Sequence, residues 1–203
     1  MNEKEIKENI EIKINGKIIE FTYYYKFNKE GKYIIEYLFK NYLTNTCYMF
    51  CDCNLLTNLD LSNFNTQNVI NMECMFYYCH SLINLDLSNF NTQNVTNMVC
   101  MFLACNSLIS LDLSNFNTQN VNNMHTMFFA CNSLISLDLS NFNTQNVTNM
   151  THMFTNCFSL ISLDISNFNN QNGVYPDFCY CKSLKKNNII VKNEKILKYF
   201  SNK

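Results

Sequence analysis

Apolar residues return along this chain with a period of 26. Leu-Asp-Leu-Ser-Asn-Phe-Asn-Thr-Gln-Asn-Val begins at Leu59, Leu85, Leu111 and Leu137, and Leu163 opens a drifted copy. A fixed period of this length predicts stacked units, each burying its apolar edge only against its neighbours. Two spacings coexist inside a unit. Leu82, Leu85 and Leu87 form Leu-x-x-Leu-x-Leu, a short strand whose alternate residues point inward. Val69, Met72, Phe76 and Cys79 fall three or four apart with Met75 beside them, which predicts about two turns of helix. Asn68 stands where an N-cap would. Phe64, Phe90, Phe116, Phe142 and Phe168 end the strands and are expected to stack as a buried column.

The flanks follow other patterns. Ile10, Ile12 and Ile14 alternate with polar residues and run into Asn15-Gly16, the strongest short hairpin signal, because both central residues of a type I′ turn need positive φ. Lys17 to Tyr25 and Lys32 to Phe39 continue the pattern around a turn at Asn28–Gly31. A small antiparallel cap over the first open edge is expected here. Leu43, Met49, Phe50 and Cys53 take the places of Val69, Met75, Phe76 and Cys79 in a degenerate half-unit. The last unit is two residues short, since Phe178, Cys181 and Leu184 match Phe154, Cys157 and Leu160. Asn188 to Phe200 reads as a closing Lys-rich hairpin or strand. The boundaries are therefore 1–42 for the N-terminal β cap, 43–184 for the repeats and 185–203 for the Lys-rich C-terminal cap.

Composition sharpens this picture in two ways. Three Gly and one Pro among 203 residues leave the turns to Asn, Ser and Thr, whose side chains bond nearby backbone. The formal net charge of −1 hides segregation: residues 54–172 hold no Lys or Arg but carry Asp60, Glu73, Asp86, Asp112, Asp138 and Asp164. A basic stripe for nucleic acid is absent from this body. Met1 to Glu11 is charged and lacks a signal-type apolar core, and no run approaches the length of a membrane span. A cytoplasmic protein is expected on these grounds.

The unit Leu-Asp-Leu-Ser-Asn-Phe-Asn-Thr-Gln-Asn-Val-Thr-Asn-Met-x-x-Met-Phe-x-x-Cys-x-Ser-Leu closely resembles the BspA-like leucine-rich repeat family, the bacterial surface protein 26-residue repeat, over roughly residues 43–184. The resemblance implies a leucine-rich-repeat fold and a binding or adhesive role, often at a cell surface. It brings no shared catalytic residues. The expected class is an α/β solenoid, an array of short parallel strands and short helices with a β-hairpin cap at the N-terminus and a small C-terminal cap.

Cys53, Cys79, Cys105, Cys131, Cys157 and Cys181 occupy one column and read as buried small thiols, since free Cys packs as a compact hydrophobe. Disulfides along it would need Cα atoms within about 7 Å, whereas neighbouring helices sit about 8–10 Å apart. Eleven cysteines is also an odd number. Reduced thiols are the simpler account. Cys51-x-Cys53 and Cys179-x-Cys181 are too tightly spaced and too far apart for structural zinc. No metal or other cofactor is expected. His80, His125 and His152 fall in three columns. Cys100 and His125 would approach on neighbouring units, with Glu73 in the His125 column, but no oxyanion site accompanies such a dyad, so a thiol-dependent enzyme is a distant alternative.

The candidate binding surface is an acidic strip expected on the concave side: Asp60, Asp86, Asp112, Asp138 and Asp164, with Asn84, Ser110, Ser136 and Ser162 two residues before them. At a strand spacing of about 4.8 Å, neighbouring carboxylates repel by somewhat under 1 kcal/mol in water. Three readings follow: an ordinary hydrated surface, a docking strip for a Lys/Arg-rich partner, and carboxylates bridged by calcium. A second candidate is a convex strip of Tyr77, Leu103 and Phe129, against partial burial between neighbouring units. The expected function is a non-enzymatic protein-binding module of leucine-rich-repeat type with a protein partner, a basic one under the docking reading. The alternative is a cell-surface or secreted adhesion protein. Oligomeric state is not legible.

Overall fold

Asn15 and Gly16 both take positive φ, 50° and 78°, and fold β1 (Ile10–Ile14) back onto β2 (Lys17–Ile19). The computed structural model describes residues 7–22, 25–169 and 172–200, and the chain divides into two units, Met1–Leu43 and Thr44–Lys203. In the first unit β3 (Ile35–Phe39) pairs antiparallel with the other edge of β1, Ile12 facing Tyr37, so the strand order is β2-β1-β3. Among the described residues of this unit Ile12, Ile14 and Leu43 are buried. The expected strands Lys17–Tyr25 and Lys32–Phe39 shorten to three and five residues. Residues 23–24 of the first run lie outside those described.

In the second unit successive coils lie in register at an offset of 26. Asn45, Asn71, Asn97, Asn123 and Asn149 form a continuous line of parallel bridges. Farther along the coil, β4 (Ser136–Asp138) and β5 (Ser162–Asp164) pair in parallel, Leu137 against Leu163. Phe50, Phe76, Phe102, Phe128, Phe154 and Phe178 stack with ring centroids 5.6–5.8 Å apart and planes within 8°. A second row, Phe64, Phe90, Phe116 and Phe142, has centroids 5.9–6.5 Å apart. Apart from the half-buried Phe50 and Met49 of the first coil, these rings, with Met72, Met75, Val69 and their equivalents, are buried.

The expected α/β leucine-rich-repeat solenoid of short strands and short helices is overturned. Apart from residues 7–9, the helical stretches among the described residues are the short 3₁₀ turns Lys186–Asn188 and Glu194–Tyr199. The architecture is small antiparallel and parallel sheets, with coils built from turns. The reason lies in where the amides go. A helix sends each N–H to the carbonyl four residues back. Here the N–H groups of Met72, Cys74, Phe76 and Tyr78 leave the coil for the carbonyls of Asn97, Val99, Met101 and Leu103 at 2.8–3.0 Å. Those of Met75, Tyr77 and Cys79 close tight turns on Met72, Cys74 and Phe76. The burial pattern of a helix face thus arises from consecutive turns. It requires left-handed backbone twice per coil, at Cys74 and Tyr78 and at their equivalents such as Cys100 and Ala104. Non-glycine residues pay about 1–2 kcal/mol for that geometry, and each of these four sends its amide to the next coil.

The strands are also shorter than expected, at three residues in β4 and β5. Of the hairpin or strand expected to close the chain, the hairpin does not form among the described residues. Ile189–Ile190 (β6) instead joins β5 in parallel, Ile189 opposite Leu163, so the 26-residue register survives the two-residue deletion. Glu194–Tyr199 follows, capped by the Asn193 side chain on the Lys195 amide and anchored by buried Ile196.

Candidate functional site

Polar side chains near the sheet and its turns mostly serve the backbone. Each Asp of the expected strip accepts, through Oδ1, the amide of the Ser two residues on: Asp60 from Ser62, Asp86 from Ser88, Asp112 from Ser114, Asp138 from Ser140 and Asp164 from Ser166, all at 2.8–2.9 Å. These are Asx turns that end the strand segments. The bonds from Ser62, Ser88, Ser114 and Ser140 hold the carboxyls of Asp60, Asp86, Asp112 and Asp138 below the usual range. For Asp86 the neighbouring Asp112 and Asp60 oppose this with a smaller effect. Asp60, Asp86, Asp112 and Asp138 are exposed and Asp164 half-buried. Asn84, Ser110, Ser136 and Ser162 are exposed beside them, and Ser136 directly faces Ser162. The expected strip is therefore brought together as one row, and each member also has a turn-forming role that the sequence reading missed.

A third feature runs along the same segment. Ile83, Ile109, Ile135 and Ile161 are 42–48% exposed, one per coil. Large β-branched side chains left in water at every repeat make a continuous apolar row next to the Ser/Asp row. The signal was present in the sequence, because Ile recurs at the same place in four units. Tyr77, Leu103 and Phe129 of the alternative strip are half-buried, and Tyr77 packs its ring 4.3 Å from Tyr78.

The buried polar columns join coil to coil. Thr66, Thr92, Thr118 and Thr144 each donate their hydroxyl to the carbonyl, and accept the amide, of Asn91, Asn117, Asn143 and Asn169 in the following coil. Asn89, Asn115 and Asn141 each fan one Nδ2 across three carbonyls of the preceding coil. Cys79, Cys105, Cys131, Cys157 and Cys181 each donate their thiol to a Phe carbonyl one coil back at 2.8–3.2 Å. Burial pushes the Cys79 and Cys131 thiols up to about 12, so these two are packing groups rather than ready nucleophiles.

The expected Cys100–His125 approach takes another form. Cys100 Sγ meets Thr126 Oγ1 at 2.9 Å, and His125 Nδ1 is buried with no partner. The His125 and His152 rings lie 6.2 Å apart although their columns differ. His152 contacts Asp177 at 3.3 Å, and its amide donates to the same carboxylate at 2.7 Å. Asp177 so replaces the carbonyl that earlier coils offer at this position. Among the described residues no group of three His, Cys, Asp or Glu side chains is placed to hold a metal ion. The two best-formed surface depressions there are about 120 and 260 Å³, and the smaller is lined by Asp112, Asp138 and Ser140. Ligand pockets usually start near 300 Å³.

A family model described as "Mycoplasma protein of unknown function, DUF285" matches the chain over residues 21–134 and again over 83–189. No curated protein and no solved structure matches it.

Proposed function

The chain belongs to the repeat family described as Mycoplasma protein of unknown function, DUF285, and from that premise we propose that its repeats form a non-enzymatic protein-binding module. The partner is a protein segment that presents Lys or Arg beside apolar side chains. The observation that carries this is the pairing of two exposed rows on one segment of every coil. Ile83, Ile109, Ile135 and Ile161 supply apolar surface, and Asp86, Asp112 and Asp138 supply negative charge in a stretch without a single cation. Exposed contiguous apolar surface marks interaction sites, and a one-signed row accelerates encounter with an opposite charge. A second reading is a cell-surface or adhesive protein. It rests on the same rows and on the likeness of the unit to the bacterial surface 26-residue repeat.

The test is a titration of the full chain with a fluorescent peptide alternating Lys and Leu, followed by anisotropy at low and physiological salt. Asp86→Asn, Asp112→Asn and Asp138→Asn together remove three charges, yet Asn still accepts the Ser amide, so the turns persist. Losing three exposed, salt-screened charge pairs predicts a loss of affinity on the order of tenfold at low salt. Equal affinity for the triple variant and the parent would refute the reading. Leu-only peptides binding as tightly would leave the Ile row alone as the contact.

A further inference from the structure

The cysteines outside the buried thiol column include a pair with different geometry. Tyr48, Cys74, Cys100, Thr126 and His152 occupy one position in five consecutive coils, all with left-handed backbone, φ 52–59°. Main-chain bonds hold the coils together on both sides of this position. Asn71 bridges Asn97, the Cys74 amide reaches the Val99 carbonyl at 2.9 Å, and the Phe76 amide reaches Met101 at 3.0 Å. Equivalent Cα atoms of such directly paired segments lie about 4.8 Å apart, inside the 4.4–6.8 Å range that a disulfide spans. The separation of 8–10 Å expected between neighbouring helices no longer applies, because no helix forms there.

Side chains at this position also point along the stack. Cys100 Sγ touches Thr126 Oγ1 of the following coil at 2.9 Å. On its other side Cys74 stands in register one coil back, its amide bonded to the carbonyl of Val99, the residue before Cys100. The thiols of the buried column are turned instead toward carbonyls. Accessibility separates the two members of the pair: Cys100 is half-buried, whereas Cys74 is 4% exposed.

We propose that Cys74 and Cys100 are a modification site, a dithiol that closes to an inter-coil disulfide on exposure to a peroxide. Cys100, the more open thiol, attacks first as its thiolate. Its sulfur bonds one peroxide oxygen, the O–O bond breaks, and the departing hydroxide takes up a proton to leave as water. Cys100 is then a sulfenic acid. Cys74 sulfur attacks the Cys100 sulfur, the S–S bond forms and the S–O bond breaks, and hydroxide leaves with the Cys74 proton as a second water. The two thiols together lose two electrons and two protons, and one hydrogen peroxide becomes two waters. Burial raises the Cys74 thiol to about 12, which disfavours it as the first attacker on peroxide and leaves that step to the more open Cys100.

The experiment uses the full chain, reduced and freed of reductant, then treated with a few equivalents of hydrogen peroxide. Free thiols are counted before and after, and the alkylated protein is cleaved on the amino side of aspartate. That places Cys74 in 60–85 and Cys100 in 86–111, whereas trypsin finds no site within 54–172. The expected result is loss of two of the eleven thiols and a linked pair of these peptides, with fragmentation locating the bond at Cys74–Cys100. Cys100→Thr installs the residue that Thr126 already is at this position, so it should fold as the parent does and abolish the link. Cys105→Ala should leave the link intact. An unchanged thiol count, thiol loss without a 60–85/86–111 link, or a link that survives Cys100→Thr would each overturn the proposal.

Discussion

Replacing Thr118 by Val isolates what the buried hydroxyl column contributes. Thr118 is 0% exposed, and its Oγ1 donates to the Asn143 carbonyl at 3.0 Å while accepting the Asn143 amide at 2.8 Å. Val keeps the shape and leaves no cavity, so the change removes hydrogen bonding almost alone. Two bonds at about 1 kcal/mol net each come to about 2 kcal/mol. The Asn143 amide left without a partner adds about 1–3 kcal/mol to the extent that solvent cannot reach it. The expected loss is therefore about 2–5 kcal/mol, which at a urea slope of about 2 kcal/mol/M lowers the midpoint by about 1–2.5 M. Urea unfolding followed by circular dichroism measures this. Amide exchange at Asn143 should accelerate at the same time, because stacked repeats can open locally. Thr148→Val is the control. Its hydroxyl is exposed and shares the Asn122 carbonyl with its own amide, so its loss should stay below about 1 kcal/mol. A Thr118→Val midpoint indistinguishable from the parent, or a Thr148→Val loss of equal size, would refute the reasoning.

Two further outcomes follow from the core and from the acidic row. Phe102→Ala opens a gap between Phe76 and Phe128, each 5.7 Å away, and should cost about 3–5 kcal/mol in urea unfolding; a cost below about 1 kcal/mol would mean that the stacked rings do not carry the core. Asp60, Asp86, Asp112 and Asp138 have depressed carboxyl pKa values in the folded chain. Their contribution is complete above the unfolded value near about 4 and is lost as pH falls through the lower folded values. The urea midpoint should therefore drop on acidification below about pH 4, and less steeply in the Asp86→Asn/Asp112→Asn/Asp138→Asn variant; equal slopes would remove the Asx turns as the source.

The helix that fails to form shows where reading the chain reached its limit. Val69, Met72, Met75, Phe76 and Cys79 are all buried, as their spacing demanded, but spacing reports which residues face inward and not which carbonyl each amide meets. A run of tight turns with left-handed residues at Cys74 and Tyr78 buries the same side chains. Few glycines argued for turns built on Asn, Ser and Thr, yet among the left-handed non-glycine positions of the described repeats these types appear only at Thr126 and Asn156, the others being Tyr, Asp, Cys, Ala and His. Asn71, Asn97 and Asn123 act as acceptors for amides two residues on. The Ser/Asp row was legible because alternation around Leu137 places Ser136 and Asp138 on one side. Its structural use was not legible, since an Asx turn depends on the backbone path after the strand.

Repetition in the chain determined by itself that like residues would be neighbours at intervals of 26, because identical units bury identical edges best against one another. It thereby determined the aromatic rows, the buried thiols and the row of carboxylates. Only the tertiary structure decided how closely the coils approach, because that distance is set by whether amides bond within a coil or between coils. They bond between coils. This is why Cys74 and Cys100 stand in register on adjacent coils, why Thr118 clamps Asn143, and why the coil is a chain of turns instead of a helix.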